Sequence, residues 1–138
     1  MVGTSPKKLK CLLIDADVNA LRELSRVVIN NPMLELANTC KTGRAAVHFL
    51  KETKVDLILI NPTLPDANGF DLMASLPDSP IVVIISDRQD YAYFAYRIEA
   101  LDYRIKPIAP DILNQIVDRV TRQLALIEAF DKVQAESN

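Results

Sequence analysis

Short apolar runs that alternate with helical segments constrain this chain more than any other feature of its sequence. The runs at 10–14, 55–60 and 81–85 are rich in Val, Ile and Leu. They are too short for helices and typical of strands that are buried on both faces. Weaker strand patterns follow at 34–37 and 103–105. Alternating strands and helices require a parallel sheet with helices on both faces and right-handed crossovers, so we predict an α/β fold of five βα units.

Helix boundaries can be predicted from capping residues. Asp17 and Thr42 stand where the N-caps of the first two helices belong, because their side-chain oxygens can accept hydrogen bonds from free backbone N–H groups. Pro110 suits the first position of the last helix, since proline has no N–H to leave unpaired there. The apolar stripe of that helix consists of Leu113, Ile116, Val117, Val120, Leu124 and Ile127.

Composition excludes several classes of function. The 138 residues suit one domain, and 16 basic against 18 acidic residues leave no basic excess for a nucleic-acid surface. The first βα turn, 15–19, has no glycine, which argues against a phosphate-cradling loop and a nucleotide-binding enzyme. The apolar runs are too short to span a bilayer and the N-terminus lacks a leader pattern, so we expect a cytoplasmic protein without membrane contact.

Polar residues follow the predicted strands at one edge of the sheet. Asp15 follows the first strand, Asn61 the third, Ser86 the fourth and Lys106 the fifth. In open parallel sheets, binding sites form outside the carboxyl ends of the strands. We therefore predict a shallow pocket with one carboxylate, one amide, one hydroxyl and one ammonium group.

The chain resembles the CheY-like receiver domains of two-component response regulators. The stretches that carry the resemblance are 12–15, 56–61, Leu64-Pro65 with Gly69, 84–86 and 102–107, and the segment 90–103 is similar to receivers of LytTR-type regulators. The resemblance implies a flavodoxin-like, doubly wound parallel sheet with strand order 2-1-3-4-5. We expect an N-terminal extension at 1–8, the receiver at 9–129 and a polar tail at 130–138.

The chain departs from receivers at two decisive positions. Receivers carry two adjacent acids after the first strand that help to hold Mg²⁺, whereas here Asp15 is followed by Ala16. Asn61 stands at the position of the phosphoacceptor aspartate. Ser86, Tyr103 and Lys106 correspond to the switch hydroxyl, the switch aromatic residue and the phosphate-contacting lysine.

These departures predict that the site has lost its phosphorylation chemistry. A neutral carboxamide is a very poor substitute for a carboxylate nucleophile. The remaining metal donors would be Asp15, Asn61 and the Thr63 carbonyl, a poor set for Mg²⁺, so we expect no cofactor. Deamidation of Asn61 is not expected to restore the acid, because Pro62 lacks the N–H that attacks the amide.

Other roles for the pocket residues stay open from sequence alone. Asp17 could replace Ala16 as a metal ligand, although a helix cap is the commoner role of such a residue. Lys106 could bind an anion or pair with Asp15. The Ser86 hydroxyl could act in signalling or bond to nearby backbone.

Three functions compete at this point. The first is a non-enzymatic, degenerate receiver that acts through a protein partner, an output domain or a second copy. The alternative is a phosphorylatable receiver with a non-standard site that regulates an output such as transcription. The third, a small α/β enzyme, lacks a glycine-rich loop or an evident nucleophile.

We expect the partner surface on the fourth helix, fifth strand and fifth helix, through which similar receivers associate. Tyr93, Phe94 and Arg97 are its candidate residues, with Phe94 pointing outward. The predicted inward stripe of the fourth helix consists of Ala92, Ala95 and Tyr96. In the alternative rotation, Phe94 enters the core and Tyr93 is solvated.

Overall fold

Five strands and five α-helices alternate along the residues that the computed structural model describes, 7–76 and 80–137. The strands are β1 Leu9–Ile14, β2 Leu34–Cys40, β3 Leu57–Ile60, β4 Ile81–Ser86 and β5 Asp102–Ile105. The helices are α1 Val18–Ile29, α2 Gly43–Glu52, α3 Gly69–Ala74, α4 Ala92–Arg97 and α5 Pro110–Glu136. Most of the predicted N-terminal extension, 1–8, lies outside the described residues.

All strands are parallel, and the sheet order is β2-β1-β3-β4-β5. This confirms the α/β class and the predicted order. Ile14 pairs with Cys40 on one side and with Ile60 on the other, and Ile60 pairs with Ile84. The register therefore ends these strands at one edge of the sheet, which places the residues that follow them side by side.

Alternate residues of the central strands enter two separate apolar layers. Leu13 and Leu59 pack on the side of α1 and α5, whereas Ile14 and Ile60 pack on the side of α2, α3 and α4. Full burial of such a side chain contributes about 1.5–3 kcal/mol. These layers make the sheet a rigid support for the loops at its carboxyl edge.

The predicted caps of α1 and α2 are confirmed. Asp17 accepts from the backbone N–H groups of Asn19 and Ala20, and Thr42 accepts from that of Ala45. A further cap was not predicted: Asp66, in the loop after β3, accepts from the N–H groups of Gly43 and Arg44 at 2.8 and 3.0 Å. These backbone hydrogen bonds lower the pKa of Asp66. The loop is thereby tied to the start of α2.

The inward face of α4 differs from the prediction. A 3₁₀ turn, Gln89–Tyr91, precedes the helix, and Ala95 is buried while Ala92 is exposed. Tyr96 is 80% exposed, so the assignment of Ala92 and Tyr96 to the inward stripe is wrong. The core is contacted instead by Tyr91, Ala95 and Ile98, because their i, i+4, i+7 spacing places larger apolar residues on both sides of Ala95.

The last helix is longer than expected. α5 continues through Glu136, so the polar tail predicted from residue 130 is helical as far as the end of that helix. The segment 125–136 contains no Gly or Pro, and Ala, Glu and Leu favour the helix. Every residue from 125 to 137 is exposed. Among the described residues, no helix is both long and apolar enough to cross a membrane.

Candidate functional site

The topology brings the four predicted pocket residues together. Asn61 donates its backbone N–H to the Ile14 carbonyl, and Lys106 donates its own to the Ser86 carbonyl, at 2.8 Å in both cases. Each residue is therefore held by the neighbouring strand at the point where its own strand ends. The Lys106-Pro107 peptide bond is cis.

Asp15 is the centre of the pocket and is only 7% exposed. Its Oδ2 lies 2.6 Å from Lys106 Nζ. Its Oδ1 accepts from the backbone N–H of Asp17 at 2.9 Å and from Asn61 Nδ2 at 3.3 Å. Of the two roles left open for Lys106, the structure shows the ion pair with Asp15. Both carboxylate oxygens already have partners, and the Asp15–Lys106 pair is electrically neutral.

Both the nitrogen and the oxygen of the Asn61 side-chain amide make hydrogen bonds. Nδ2 donates to Asp15, while Oδ1 accepts from the backbone N–H of Thr63 at 3.3 Å. A carboxylate at this position could accept the bond from Thr63 but could not donate to Asp15. It would instead place a second negative charge beside the first. The local arrangement therefore depends on an amide at this position.

The donor set does not fit Mg²⁺. Ala16 presents an exposed methyl group where an oxygen ligand would be needed. The Asp17 carboxylate is exposed, and its Oδ1 caps α1. Among the described residues, no group of three or more His, Cys, Asp or Glu side chains is placed to hold a metal. Asp15, Asn61 and Thr63 leave one carboxylate, and that carboxylate already serves Lys106.

Ser86, at the end of β4, and Tyr103, in β5, both have confined surroundings. Ser86 is fully buried, and its Oγ accepts from the backbone N–H of Arg88 at 3.1 Å. The Tyr103 hydroxyl is buried and has no hydrogen-bond partner among the described residues. Burial raises the pKa of this phenol. Sequence alone left two roles open for the Ser86 hydroxyl, signalling or a hydrogen bond to nearby backbone. The structure shows the backbone hydrogen bond.

A cluster around Arg88, which was not predicted, joins two loops above the sheet. The Arg88 guanidinium lies 4.5 Å from the centre of the Tyr91 ring and donates to the Tyr91 hydroxyl at 3.1 Å. That hydroxyl shares a 2.9 Å hydrogen bond with Thr63 Oγ1. Arg88 also pairs with Asp90, and its hydrogen bond lowers the pKa of that carboxyl. The sequence could have indicated this cluster only through the close spacing of Arg88, Asp90 and Tyr91.

A glycine closes the loop that carries Asn61. Gly69 donates its N–H to the Pro62 carbonyl at 2.8 Å. A Cβ on Gly69 would lie 2.5 Å from Pro62 Cα, which no side chain can tolerate. Glycine at this position therefore allows the loop to return close to its own start, which holds Asn61 and Thr63 against the sheet.

The three predicted interface residues share the exposed side of α4. The rings of Tyr93 and Phe94 meet edge to face at 5.7 Å, and Arg97 Nη1 donates to the Tyr93 hydroxyl at 3.3 Å. Phe94 is 49% exposed and also contacts Phe70. Phe94 points outward as predicted, and Tyr93 is also exposed.

Comparison with known proteins gives a consistent result. The sequence model of the family described as "Response regulator receiver domain" matches residues 11–118. The chain is 27% identical over 137 residues to the transcriptional regulatory protein CitT of Halalkalibacterium halodurans, covering 94% of this chain and 60% of that protein. It is 26% identical to the sensory transduction protein LytT of Enterococcus faecalis, covering 82% of this chain and 48% of that protein.

Solved structures agree on the fold. The response regulatory domain of protein mrkE from Klebsiella pneumoniae has a TM-score of 0.72 at 23% identity, covering 88% of this chain and 99% of that one. The receiver domain of AraT from Geobacillus stearothermophilus has a TM-score of 0.78 at 22% identity, with the same coverage. The chain spans about half the length of the curated relatives it matches.

Proposed function

The chain belongs to the family of response regulator receiver domains, and on that premise we propose that it signals through protein–protein contacts without phosphorylation at Asn61. The observation that carries this proposal is the arrangement of Asp15, whose two carboxylate oxygens are taken by Lys106, by Asn61 and by a backbone N–H. A pocket arranged in this way is complete without a phosphoryl group.

The chemistry of the acceptor supports the proposal. Formation of an acyl phosphate requires a carboxylate oxygen as the nucleophile. Asn61 presents an amide whose nitrogen donates to Asp15 and whose oxygen accepts from Thr63. The amide nitrogen lone pair is delocalised into the carbonyl group, so neither end of the side chain is a competent nucleophile.

The electrostatics of the pocket point in the same direction. A divalent cation is concentrated where negative charge exceeds positive charge. Here the Asp15 carboxylate is balanced by Lys106 at 2.6 Å, and Ala16 adds no oxygen. Binding of Mg²⁺ would require Asp15 to give up its ion pair. We therefore expect Mg²⁺ to bind weakly or not at all.

The names of the relatives favour control of an output such as transcription. CitT of Halalkalibacterium halodurans and YpdB of Escherichia coli are both described as transcriptional regulatory proteins. By this analogy we propose that the receiver acts on an output domain or a protein partner in the cytoplasm, with no direct contact to nucleic acid. The alternative function, a phosphorylatable receiver that controls such an output, is favoured by these names and opposed by Asn61.

The contact surface that we propose is the exposed side of α4 with β5 and α5, including Tyr93, Phe94 and Arg97. Exposed aromatic side chains within a polar rim are characteristic of interaction sites. Arg97 stacks against the Tyr93 ring at 5.9 Å, which supplies a charged group beside the apolar ones. This surface fits an output domain or a second copy of the chain.

Incubation with acetyl phosphate and Mg²⁺, followed by intact-mass measurement, tests the proposal. We expect no phosphorylated species from the parent chain. The matched control is the double variant Ala16→Asp with Asn61→Asp, which restores the two missing acids and should gain the mass of one phosphoryl group. Asn61→Asp alone should bind Mg²⁺ less tightly than the double variant.

Two outcomes would contradict the proposal. If the parent chain gains a phosphoryl group as readily as the double variant, the alternative function is correct. If backbone amide shifts at Asn61 and Lys106 move saturably with Mg²⁺ and beryllofluoride, the pocket still binds the phosphoryl mimic and the electrostatic argument is wrong.

A further inference from the structure

The C-terminal part of α5 carries an apolar surface that the domain does not cover. The helix runs from Pro110 to Glu136, and the core contacts it through Leu113, Ile116, Val117 and Val120. Beyond Leu124, every described residue of the helix is exposed. Leu126, Phe130 and Val133 are 67%, 63% and 61% exposed. These three residues are called the terminal stripe below.

The terminal stripe does not continue the core-facing side of the helix. Its residues are spaced by four and then three positions, which places them on one line along an α-helix. At about 100° per residue, that line is rotated by roughly 130° from the line of core residues. The domain therefore cannot bury the terminal stripe by extending its own core along the helix.

Charge is separated from the terminal stripe. Glu128, Asp131 and Lys132 all project from the opposite side of the helix. Beside the stripe, the helix carries Ile127 and Gln134, two turns apart, on one side and Ala129 on the other. Such a pattern, with apolar residues at alternating spacings of three and four and charges outside, is that of a helix that packs against another helix.

We propose that the terminal stripe binds the same stripe of a second copy of this chain, with the two helices antiparallel. In that arrangement Leu126 of one copy lies against Val133 of the other, and the two Phe130 rings meet near the two-fold axis. Charged residues beyond the two ends of the stripe then have opposite signs in the two copies. Arg122 lies near Glu136 of the second copy, so that each end of the pair joins opposite charges.

The charges select this orientation over the parallel one. A parallel pair would place each Arg119 and Arg122 beside the same residue of the other copy, and like charges in that position repel. The antiparallel pair instead brings Arg122 close to an acidic residue. Arg119 already pairs with Asp102 at 3.1 Å within its own chain. The interface is small compared with a standard one of about 800 Å² per partner, so we expect weak association that requires a high protein concentration.

This inference is independent of the phosphorylation chemistry proposed above. It also uses a surface other than the aromatic side of α4, although the two are close, since Ile127 and Gln123 line one groove together with Arg97. The stripe variants are therefore compared with a variant of α4.

Light scattering across a concentration series of the full chain tests the pairing. We expect the parent to dimerise with increasing concentration, and Phe130→Ser to weaken dimerisation at least tenfold. Glu128→Ser is the matched control, because it also introduces a serine into the exposed part of the helix but leaves the stripe intact. Its dimerisation should be unchanged. Phe94→Ser tests the α4 surface separately.

A parent chain that remains monomeric at about 1 mM would overturn the inference. It would also be overturned if Phe94→Ser abolished a dimer that Phe130→Ser leaves unchanged. Neither result bears on whether Asn61 accepts a phosphoryl group, so the two proposals fail separately.

Cysteine crosslinking tests the orientation. A chain with Leu126→Cys is mixed with a chain with Val133→Cys and oxidised with glutathione disulfide. The native Cys11 and Cys40 are both buried and should not react. The antiparallel pair predicts a 126-to-133 crosslink between the two variants. Predominant crosslinking of Leu126→Cys with itself would show a parallel pair and overturn the proposed orientation.

Discussion

The amide of Asn61 donates to Asp15 through its nitrogen and accepts from Thr63 through its oxygen, so one side chain joins the ends of two strands. A carboxylate has no proton to donate at neutral pH and would repel Asp15. Asparagine at this position therefore makes one more hydrogen bond than a carboxylate could make there. It replaces a charge that would need a cation with a hydrogen bond that needs none.

Tyr103 offers a test of how the apolar layer beside β5 is packed. Its hydroxyl is buried without a partner among the described residues, and an unpaired buried polar group costs about 1–3 kcal/mol. We therefore expect Tyr103→Phe to keep or raise the free energy of unfolding, by up to about 1 kcal/mol. Urea denaturation at pH 7 measures the change.

Phe94→Leu is a suitable control for Tyr103→Phe, because it alters an aromatic side chain on the exposed side of α4 without touching a buried hydroxyl. A loss of more than about 1 kcal/mol in Tyr103→Phe would mean that the hydroxyl has a stabilising partner in solution.

At the scale of secondary-structure elements, β5 is held to α5 by a charged cluster. Asp102, the first residue of β5, accepts from Arg104 Nε at 2.9 Å and pairs with Arg119 of α5 at 3.1 Å. Burial acts to raise the pKa of Asp102. The hydrogen bonds from Arg104 and the Tyr103 N–H, with the charges of both arginines, outweigh burial, so the pKa is lowered. An edge strand of four residues is thereby fastened at its start.

This cluster predicts a pH dependence of stability. Because the folded-state pKa of Asp102 lies below its unfolded value, its contribution is present above about pH 4 and is lost as the pH falls through the lowered value. Asp102→Asn should lower the free energy of unfolding by about 1–2 kcal/mol at pH 7. The difference from the parent should shrink below about pH 4.

Thermal or urea denaturation of both proteins between pH 2 and pH 7 measures this difference. Asp118→Asn is the control, since it removes an exposed carboxylate from α5, the helix that carries Arg119. If the difference between Asp102→Asn and the parent stays constant over the whole range, the carboxylate does not act through its lowered pKa.

At the scale of the whole molecule, the receiver body and the exposed end of α5 should be energetically separable. Residues 125–137 are exposed, whereas the core contacts of α5 end near Leu124. A chain that stops at Ala125 should keep the free energy of unfolding of the monomer within about 0.5 kcal/mol. Its melting temperature should not depend on protein concentration.

The full chain should behave differently, because association stabilises the folded state by mass action. Its melting temperature should rise with concentration if the terminal stripe pairs. Differential scanning calorimetry of the two chains at several concentrations provides the comparison. A shortened chain that unfolds at much lower temperature when dilute would show that the end of α5 supports the receiver body.

The sequence by itself determined the five βα units, the caps at Asp17 and Thr42, and the set of residues at the carboxyl edge. These features depend on apolar spacing and capping chemistry within a few residues, which act in the same way wherever the segment lies. The resemblance to receivers added the strand order, and the parallel register then made the meeting of Asp15, Asn61 and Lys106 predictable.

Only the tertiary structure decided the rotation of α4, the capping of α2 by Asp66 and the Arg88 cluster. Each depends on contacts between segments far apart in sequence, such as the 28 residues that separate Thr63 from Tyr91. Local spacing placed Tyr96 inward, but packing against the sheet favoured Tyr91 and Ile98 because they fill the space beside Ala95. The length of α5 was likewise underestimated, because helix propensity alone can extend a helix beyond the core that it serves.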